Sequence, residues 1–229
     1  MIAILYEDNH LIAVNKPSGI LVQGDSTGDK PMVEIIKDFI KKRDEKPGNV
    51  FLGVIHRIDR PTSGIILFAK TSKALSRMNK LFADKKVKKT YWAVVEGIVD
   101  KKEQRLEHYL SRNHKLNKSF VTDSNSDKAK KAVLYYQVLH RLKTYTLLKV
   151  TLETGRHHQI RVQLSHNQNT IKGDLKYGSN RSNRDKSISL LAKTLKFIHP
   201  VSGKEIEIDA ELPHTDIWKI IRKELAAEL

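Results

Sequence analysis

Short apolar runs separated by polar turns mark the chain from its first residues. Ile2 to Tyr6 and Leu11 to Asn15 read as two short strands, broken by the turn Lys16-Pro17-Ser18-Gly19. Ile20 to Val22 reads as a resumed strand, followed by the loop Gly24–Lys30. Pro31 then suits the first position of a helix, with Val33, Ile36, Phe39 and Ile40 on its apolar face up to Lys42. Two apolar runs, Phe51 to Ile55 and Ile65 to Ala69, enclose the polar stretch His56–Gly64. Thr71 or Ser72 caps a helix that carries Leu75, Met78 and Phe82. A strand follows from Tyr91 to Val95, closed by Gly97. Residues 100 to 131 are polar, basic and turn-rich, as in a hairpin or an excursion over a basic surface. Val133 to His140 and Tyr145 to Leu152 form a hairpin pattern. A helix from about Arg156 to His166 places Ile160 and Leu164 one turn apart. Ser187 to Phe197 and Glu205 to Ile208 are strand-like, and Thr215 caps a final amphipathic helix with Ile217, Ile220, Ile221 and Leu225. Strands outnumber helices without alternating regularly with them. The pattern therefore predicts an α+β fold with a mixed or antiparallel sheet, not a doubly wound α/β fold.

Composition adds a partner class. The chain of 229 residues has 42 Lys and Arg against 26 Asp and Glu, a net charge of +16. That excess favours a polyanion, nucleic acid before an anionic membrane surface, over mere solubility charge. Cysteine is absent, which excludes disulfides, thiolate zinc, iron–sulfur clusters and a cysteine nucleophile. No stretch approaches the roughly 18 apolar residues of a membrane-spanning helix, and the opening MIAILYEDNH is unlike a signal peptide. A soluble cytoplasmic protein is expected. No repeat with a period of 20–50 residues is visible.

Two polar clusters carry candidate chemistry. Asp59 lies between Arg57 and Arg60 in a loop held by two apolar runs. Flanking guanidinium groups would keep its carboxylate ionised, as a nucleophile or electrostatic group, or simply as half of a structural ion pair. The second cluster is Gly155-Arg156-His157-His158-Gln159-Ile160-Arg161. His157 and Arg161, four apart, share a helix face, and Arg156 sits near that helix's N-terminus, where an anion is favoured. His157, His158 and His166 lack both an HExxH pattern and nearby acidic ligands, so a metal site is not expected. Tyr91 and Trp92 point to opposite faces of their strand: one for the core, the other a possible stacking surface for a base. Lys172-Gly173-Asp174 with Tyr177-Gly178 reads as turn chemistry.

These segments together carry a resemblance. HRIDRPTSG at 56–64, KKTYWAVVEG at 88–97, TGRHHQIR at 154–161, GDLKYG at 173–178 and LKFIHPVSG at 195–203 occur in this order. With the opening LYEDNHLIAVNKPSGILV, they closely resemble the RluA-type family of RNA pseudouridine synthases, over residues 2 to 213. The resemblance implies one catalytic domain over residues 1–229, without a separate N-terminal RNA-binding domain. Its fold would be a mixed, largely antiparallel sheet with flanking helices and a basic cleft. It makes Asp59 the catalytic nucleophile. Tyr91 would pack against the target base and assist proton transfer, and Arg161 would pair with Asp59. Arg57 would enter the RNA where the flipped uridine leaves. Arg60, Lys88, Lys89, Arg156 and His158 are the further expected RNA contacts. The implied substrate is structured ribosomal or transfer RNA, HRIDRPTSG leaning toward transfer RNA, and no redox, metal or nucleotide cofactor is needed. A non-catalytic RNA-binding or ribosome-assembly factor on the same scaffold would be expected to lose Asp59, Tyr91 or Arg161, and all three are present. Gln163, Asn167-Gln168-Asn169 and Leu191 depart from the family's usual residues, which bears on target recognition.

Overall fold

The computed structural model describes residues 2–126 and 128–227. In chain order the elements are β1 (Ala3–Glu7), β2 (Leu11–Lys16), α1 (Met32–Arg43), β3 (Gly53–Val54), β4 (Ser63–Ala69), α2 (Ser72–Ala83) and β5 (Lys88–Glu96). They continue with β6 (Glu103–Asn113), β7 (Lys118–Thr122), β8 (Lys130–Arg141), β9 (Tyr145–Leu152) and α3 (Gln159–His166). A short 3-10 turn at Leu175–Tyr177 precedes β10 (Leu190–Ile198), β11 (Glu205–Asp209) and α4 (Asp216–Ala227). The chain packs as two compact units, residues 1–88 with 192–229, and residues 89–191.

In the first unit β1 pairs with β2 and β2 with β4, both antiparallel, and β3 pairs with the end of β4. β10 and β11 form a further antiparallel pair. The strand period of two puts Ile12 and Val14 of β2, and Ile66 and Phe68 of β4, on one face. That face packs against Val33, Ile36 and Ile40 of α1. Leu11, Ala13, Ile65 and Leu67 on the opposite face are buried as well. Thr71 caps α2, its hydroxyl accepting from the Ala74 amide at 3.1 Å. Gly64 has φ +112°, and a Cβ there would lie 2.3 Å from the Ala192 carbonyl oxygen, so only glycine lets the strands approach.

The second unit is an antiparallel sheet in the order β5-β9-β8-β6-β7. α3 packs on β6 and β7, with Val162 and Tyr177 closing a small core over Leu110 and Ala132. All these pairings are antiparallel, and with the helices they make the α+β fold expected from the pattern.

Three local expectations change. Ile20 to Val22 is not a strand. The carbonyls of Leu21 and Val22 instead accept the amides of Met32 and Val33, at 2.7 and 3.2 Å, satisfying donors at the start of α1. Pro31 is accordingly the cap residue, in extended conformation, and not the first helical one. α3 starts at Gln159, three residues later than expected, because His158 is left-handed at φ +54°. The hairpin expected in the basic segment from 100 to 131 is present as β6 and β7, and β6 also pairs along β8.

Candidate active site

The Asp59 loop is built by its neighbours in the first unit. Upstream, the His56 ring accepts from the Leu67 amide of β4 at 3.1 Å and stacks on Phe82 of α2 at 5.2 Å. Downstream, the Thr62 amide donates to the Asp59 carbonyl at 3.1 Å, closing a turn through Pro61. In between, the Arg60 carbonyl accepts from the Gly19 amide at 2.8 Å, and Arg60 Nε donates back to the Gly19 carbonyl at 2.9 Å. Arg60 Nη2 also forms an ion pair with Asp29 at 2.7 Å. A loop pinned at both ends and in the middle presents its side chains from a rigid base. Arg57 is exposed and Asp59 half-buried.

Lys16, the last residue of β2, lies beneath this loop with no exposure at all. Burial draws its pKa down to about 7, the Asp59 charge pulls it up, and Arg60 pushes it down.

In the second unit, Tyr91 is buried in β5 opposite Val150. Lys89, two residues earlier, shares its face. Lys88 is exposed, whereas Lys89 is half-buried and desolvation lowers its pKa. Lys89 Nζ lies 3.3 Å from where a Cβ on residue 155 would sit, so Gly155 leaves it room.

The segment Thr154–Arg161 folds around Gln159. Its Oε1 accepts from Thr154 Oγ1 and the Arg156 amide, at 2.8 and 2.9 Å, and its Nε2 donates to the Val133 carbonyl at 3.0 Å. Those bonds satisfy a buried amide and set the start of α3. Arg161 is buried one turn into the helix region. Its Nε and Nη2 donate to the two carboxylate oxygens of Asp174, at 2.7 and 2.8 Å, a planar two-point pair. The guanidinium carbon stands 5.0 Å from the Tyr177 ring centroid. Asp174, which in the sequence reads as turn chemistry, is the partner that holds Arg161. Its signal was the dipeptide Gly173-Asp174: Gly173 has φ +87°, and a Cβ there would meet the Asn183 side chain and Ser187 carbonyl at 2.8 Å.

His158 departs from its expected role as an RNA contact. It is buried, and its Nδ1 lies 2.9 Å from the Tyr177 hydroxyl. Desolvation, then the charge of Arg161, pushes its pKa down to about 2, so the ring is neutral and structural. Arg156 remains exposed beside it, its Nε donating to the Lys131 carbonyl at 3.0 Å. The departures from the family pattern also turn inward. Gln163 is fully buried, its Nε2 reaching the Leu106 and Ala132 carbonyls and His108 Nδ1. Leu191 is fully buried, and Asn167 bonds Asn169 within its own turn. Their direct effect is on packing and local turn geometry. Among the described residues, no group of three or more His, Asp or Glu is set to hold a metal ion, and no helix is long and apolar enough to cross a membrane.

This architecture is that of the pseudouridine synthases. The solved structure of Human RNA Pseudouridylate Synthase Domain Containing 4 matches with a TM-score of 0.80 at 23% identity, covering 96% of this chain and 92% of that one. A family profile described as RNA pseudouridylate synthase matches residues 10–166. A ribosomal large subunit pseudouridine synthase C from Buchnera aphidicola subsp. Schizaphis graminum is 37% identical over 216 residues, spanning 91% of this chain and 67% of the relative. A tRNA pseudouridine synthase C from Vibrio parahaemolyticus is 31% identical over 237 residues, spanning 94% of this chain and 92% of the relative. The chain belongs to the RNA pseudouridylate synthase family, of the RluA type, and is an RNA pseudouridine synthase, an isomerase.

Proposed function

We propose that the protein isomerises a specific uridine to pseudouridine in structured ribosomal or transfer RNA, with Asp59 as the nucleophile. The observation that carries this reading is the Asp59 loop: a carboxylate flanked by two arginines, held by His56, Gly19 and Thr62. The relatives named above act, by their names, on ribosomal and on transfer RNA, which supports either as substrate.

The target uridine leaves the stack, because its glycosidic bond is out of reach inside a helix. An Asp59 carboxylate oxygen attacks C1′ of the ribose, and the C1′–N1 electron pair departs with the base. The detached uracil turns to present C5, a C5–C1′ bond forms, and the bond from C1′ to Asp59 breaks. The proton leaves C5 and N1 gains one. In the alternative route Asp59 assists elimination to a glycal, with the same net change. Tyr91 supplies a ring face for the base and a hydroxyl for proton transfer. Arg161, held by Asp174, is the residue that the family resemblance assigns as partner to the nucleophile. Arg57, Arg60, Lys88, Lys89 and Arg156 add cationic character for the phosphates.

The test is pseudouridine mapping in total RNA from cells with the gene, without it, and complemented by Asp59→Asn. Loss of one or a few pseudouridines, restored by wild type and not by Asp59→Asn, is expected. An unchanged map on deletion, or full restoration by Asp59→Asn, refutes the reading. The class of RNA carrying the lost site decides between ribosomal and transfer RNA.

A further inference from the structure

We infer that the cavity between β7 and α3 is a subsite for one unstacked nucleotide of the substrate RNA, apart from the target uridine: its base enters against Phe120 and His166, and its phosphate meets Lys118. The inference deepens the proposed function, since it rests on RNA as the substrate, but it does not rest on Asp59 as nucleophile.

The cavity holds about 390 Å³ and belongs wholly to the second unit. That is the low end of small-ligand sites, room for one nucleotide and not for a helix. Its lining contains none of Tyr91, Arg161 and Asp174. Tyr177 forms a fixed wall: it is 5% exposed, its hydroxyl accepts from the Ser119 amide at 2.9 Å, and its carbonyl accepts from Ser165 Oγ at 2.6 Å. β7 is the outermost strand of its sheet. The Ser119 amide turns away from β6 to reach Tyr177, so Ser119 stands at a non-bonded position of the ladder, opposite Arg112. Such positions alternate in an antiparallel pair. Val121, two residues on and also lining the cavity, therefore turns its amide and carbonyl off the same edge. A donor beside an acceptor suits the edge of a nucleobase.

The remaining groups supply what an unpaired nucleotide needs. Phe120 is 39% exposed and His166 is exposed, so two aromatic rings stand open at the cavity. Unstacked RNA bases are taken up on such rings. Lys118 Nζ lies 5.0 Å from the Tyr177 ring centroid and 5.4 Å from that of Phe120, which fixes its charge between two lining rings. Lys176 Nζ donates to the Leu116 and Asn117 carbonyls at 3.4 and 3.2 Å, tying the turn before β7 to the 3-10 turn. No Asp or Glu is among the described lining residues. After desolvation, the charges of Arg161, Lys176 and Arg112 are among the causes that hold the pKa of neighbouring His158 down, so the surroundings of Tyr177 are cationic. An uncharged protein strand added to this edge would leave those cations unmatched, whereas RNA phosphates match them.

The experiment titrates wild type, Phe120→Ala, Lys118→Ala and Asp59→Asn with short homopolymeric oligoribonucleotides of each base, and with inorganic polyphosphate as a chain of charge without bases. NMR of the Val121 amide and the Val162 methyl groups reads the cavity, and urea melts show that each variant is folded. At least one oligonucleotide should shift both signals saturably, in wild type and in Asp59→Asn alike, and polyphosphate should leave them in place. Phe120→Ala should weaken that binding about fivefold or more, the loss of one base–aromatic stack. Lys118→Ala should lower the log–log salt slope by about 0.7, one single-strand phosphate contact. Signals that no oligonucleotide moves, or that polyphosphate moves equally, overturn the subsite, as does wild-type affinity in Phe120→Ala. Self-association of wild type that protects the Val121 amide also overturns it, and would make β7 a docking edge for a second strand. Full pseudouridine formation by Asp59→Asn, with these shifts intact, overturns the nucleophile and spares the subsite.

Discussion

Replacing Asp174 with Asn tests whether Arg161 is held as described. The two side chains are 2% and 5% exposed, so little solvent screens their pair. Asn keeps the shape and one acceptor, but it loses the charge and turns an N–H₂ group toward the guanidinium. Removing one partner's charge from a buried pair typically costs about 3–5 kcal/mol, because the other charge is left uncompensated. For a chain of this size that corresponds to a fall in Tm of roughly 10 °C. Urea melts at 25 °C followed by circular dichroism would measure it. A double-mutant cycle with Arg161→Met separates the pair from its surroundings. The double variant, having lost both charges, should be more stable than the two single losses added together suggest, with a coupling of about 2 kcal/mol. Pseudouridine formation should also fall at least about tenfold in Asp174→Asn, since Arg161 then loses the two-point pair with Asp174 that helps to fix its direction. A stability loss below about 1 kcal/mol, or losses that add within about 0.5 kcal/mol, would refute the argument that Asp174 anchors Arg161.

Other outcomes follow from the same structure. Gly64→Ala should cost more than about 3 kcal/mol or prevent folding, since φ +112° and the Ala192 carbonyl 2.3 Å away both oppose a Cβ; near wild-type stability in a urea melt would contradict this. Acid should destabilise the second unit through His158, whose folded pKa of about 2 lies below its ordinary 6.5. The stabilisation of the neutral ring is present above about pH 6.5 and is lost as pH falls toward 2, by about 1.4 kcal/mol per unit. His158→Gln should reduce that slope in melts at pH 7 and 5. RNA binding should weaken with salt at a log–log slope steeper than about −2, and removing the exposed Lys88 and Lys130 together should flatten it by about 1.4 for single-stranded contacts; a flat dependence would dismiss the electrostatic account. Tyr91→Phe should lower the single-turnover rate more than RNA affinity, and Tyr91→Ala should lower both; wild-type activity in both would reduce Tyr91 to a core residue.

Much of this protein was legible in its sequence because the signals were local. Short apolar runs marked β2, β5, β8 and β9, and Thr71 with Leu75, Met78 and Phe82 marked α2, since such runs must leave water whatever lies opposite. The motifs around Asp59, Tyr91 and Arg161 named the family by residue type and order. What remained hidden depended on partners distant in sequence. Nothing near Lys16 tells that its ammonium is buried against the carbonyl of Arg60, forty-four residues on. Nothing near Asp174 tells that its carboxylate holds Arg161, and no pattern reveals that His158 turns left-handed and buries its ring against Tyr177. Ile20 to Val22 looked like a strand because its apolar residues suit one, yet its carbonyls were needed at the start of α1. Local sequence determines which segments can form an element. The demand that every buried charge, donor and acceptor find a partner is met only in three dimensions, and it decided which polar residues became part of the interior and which stayed exposed.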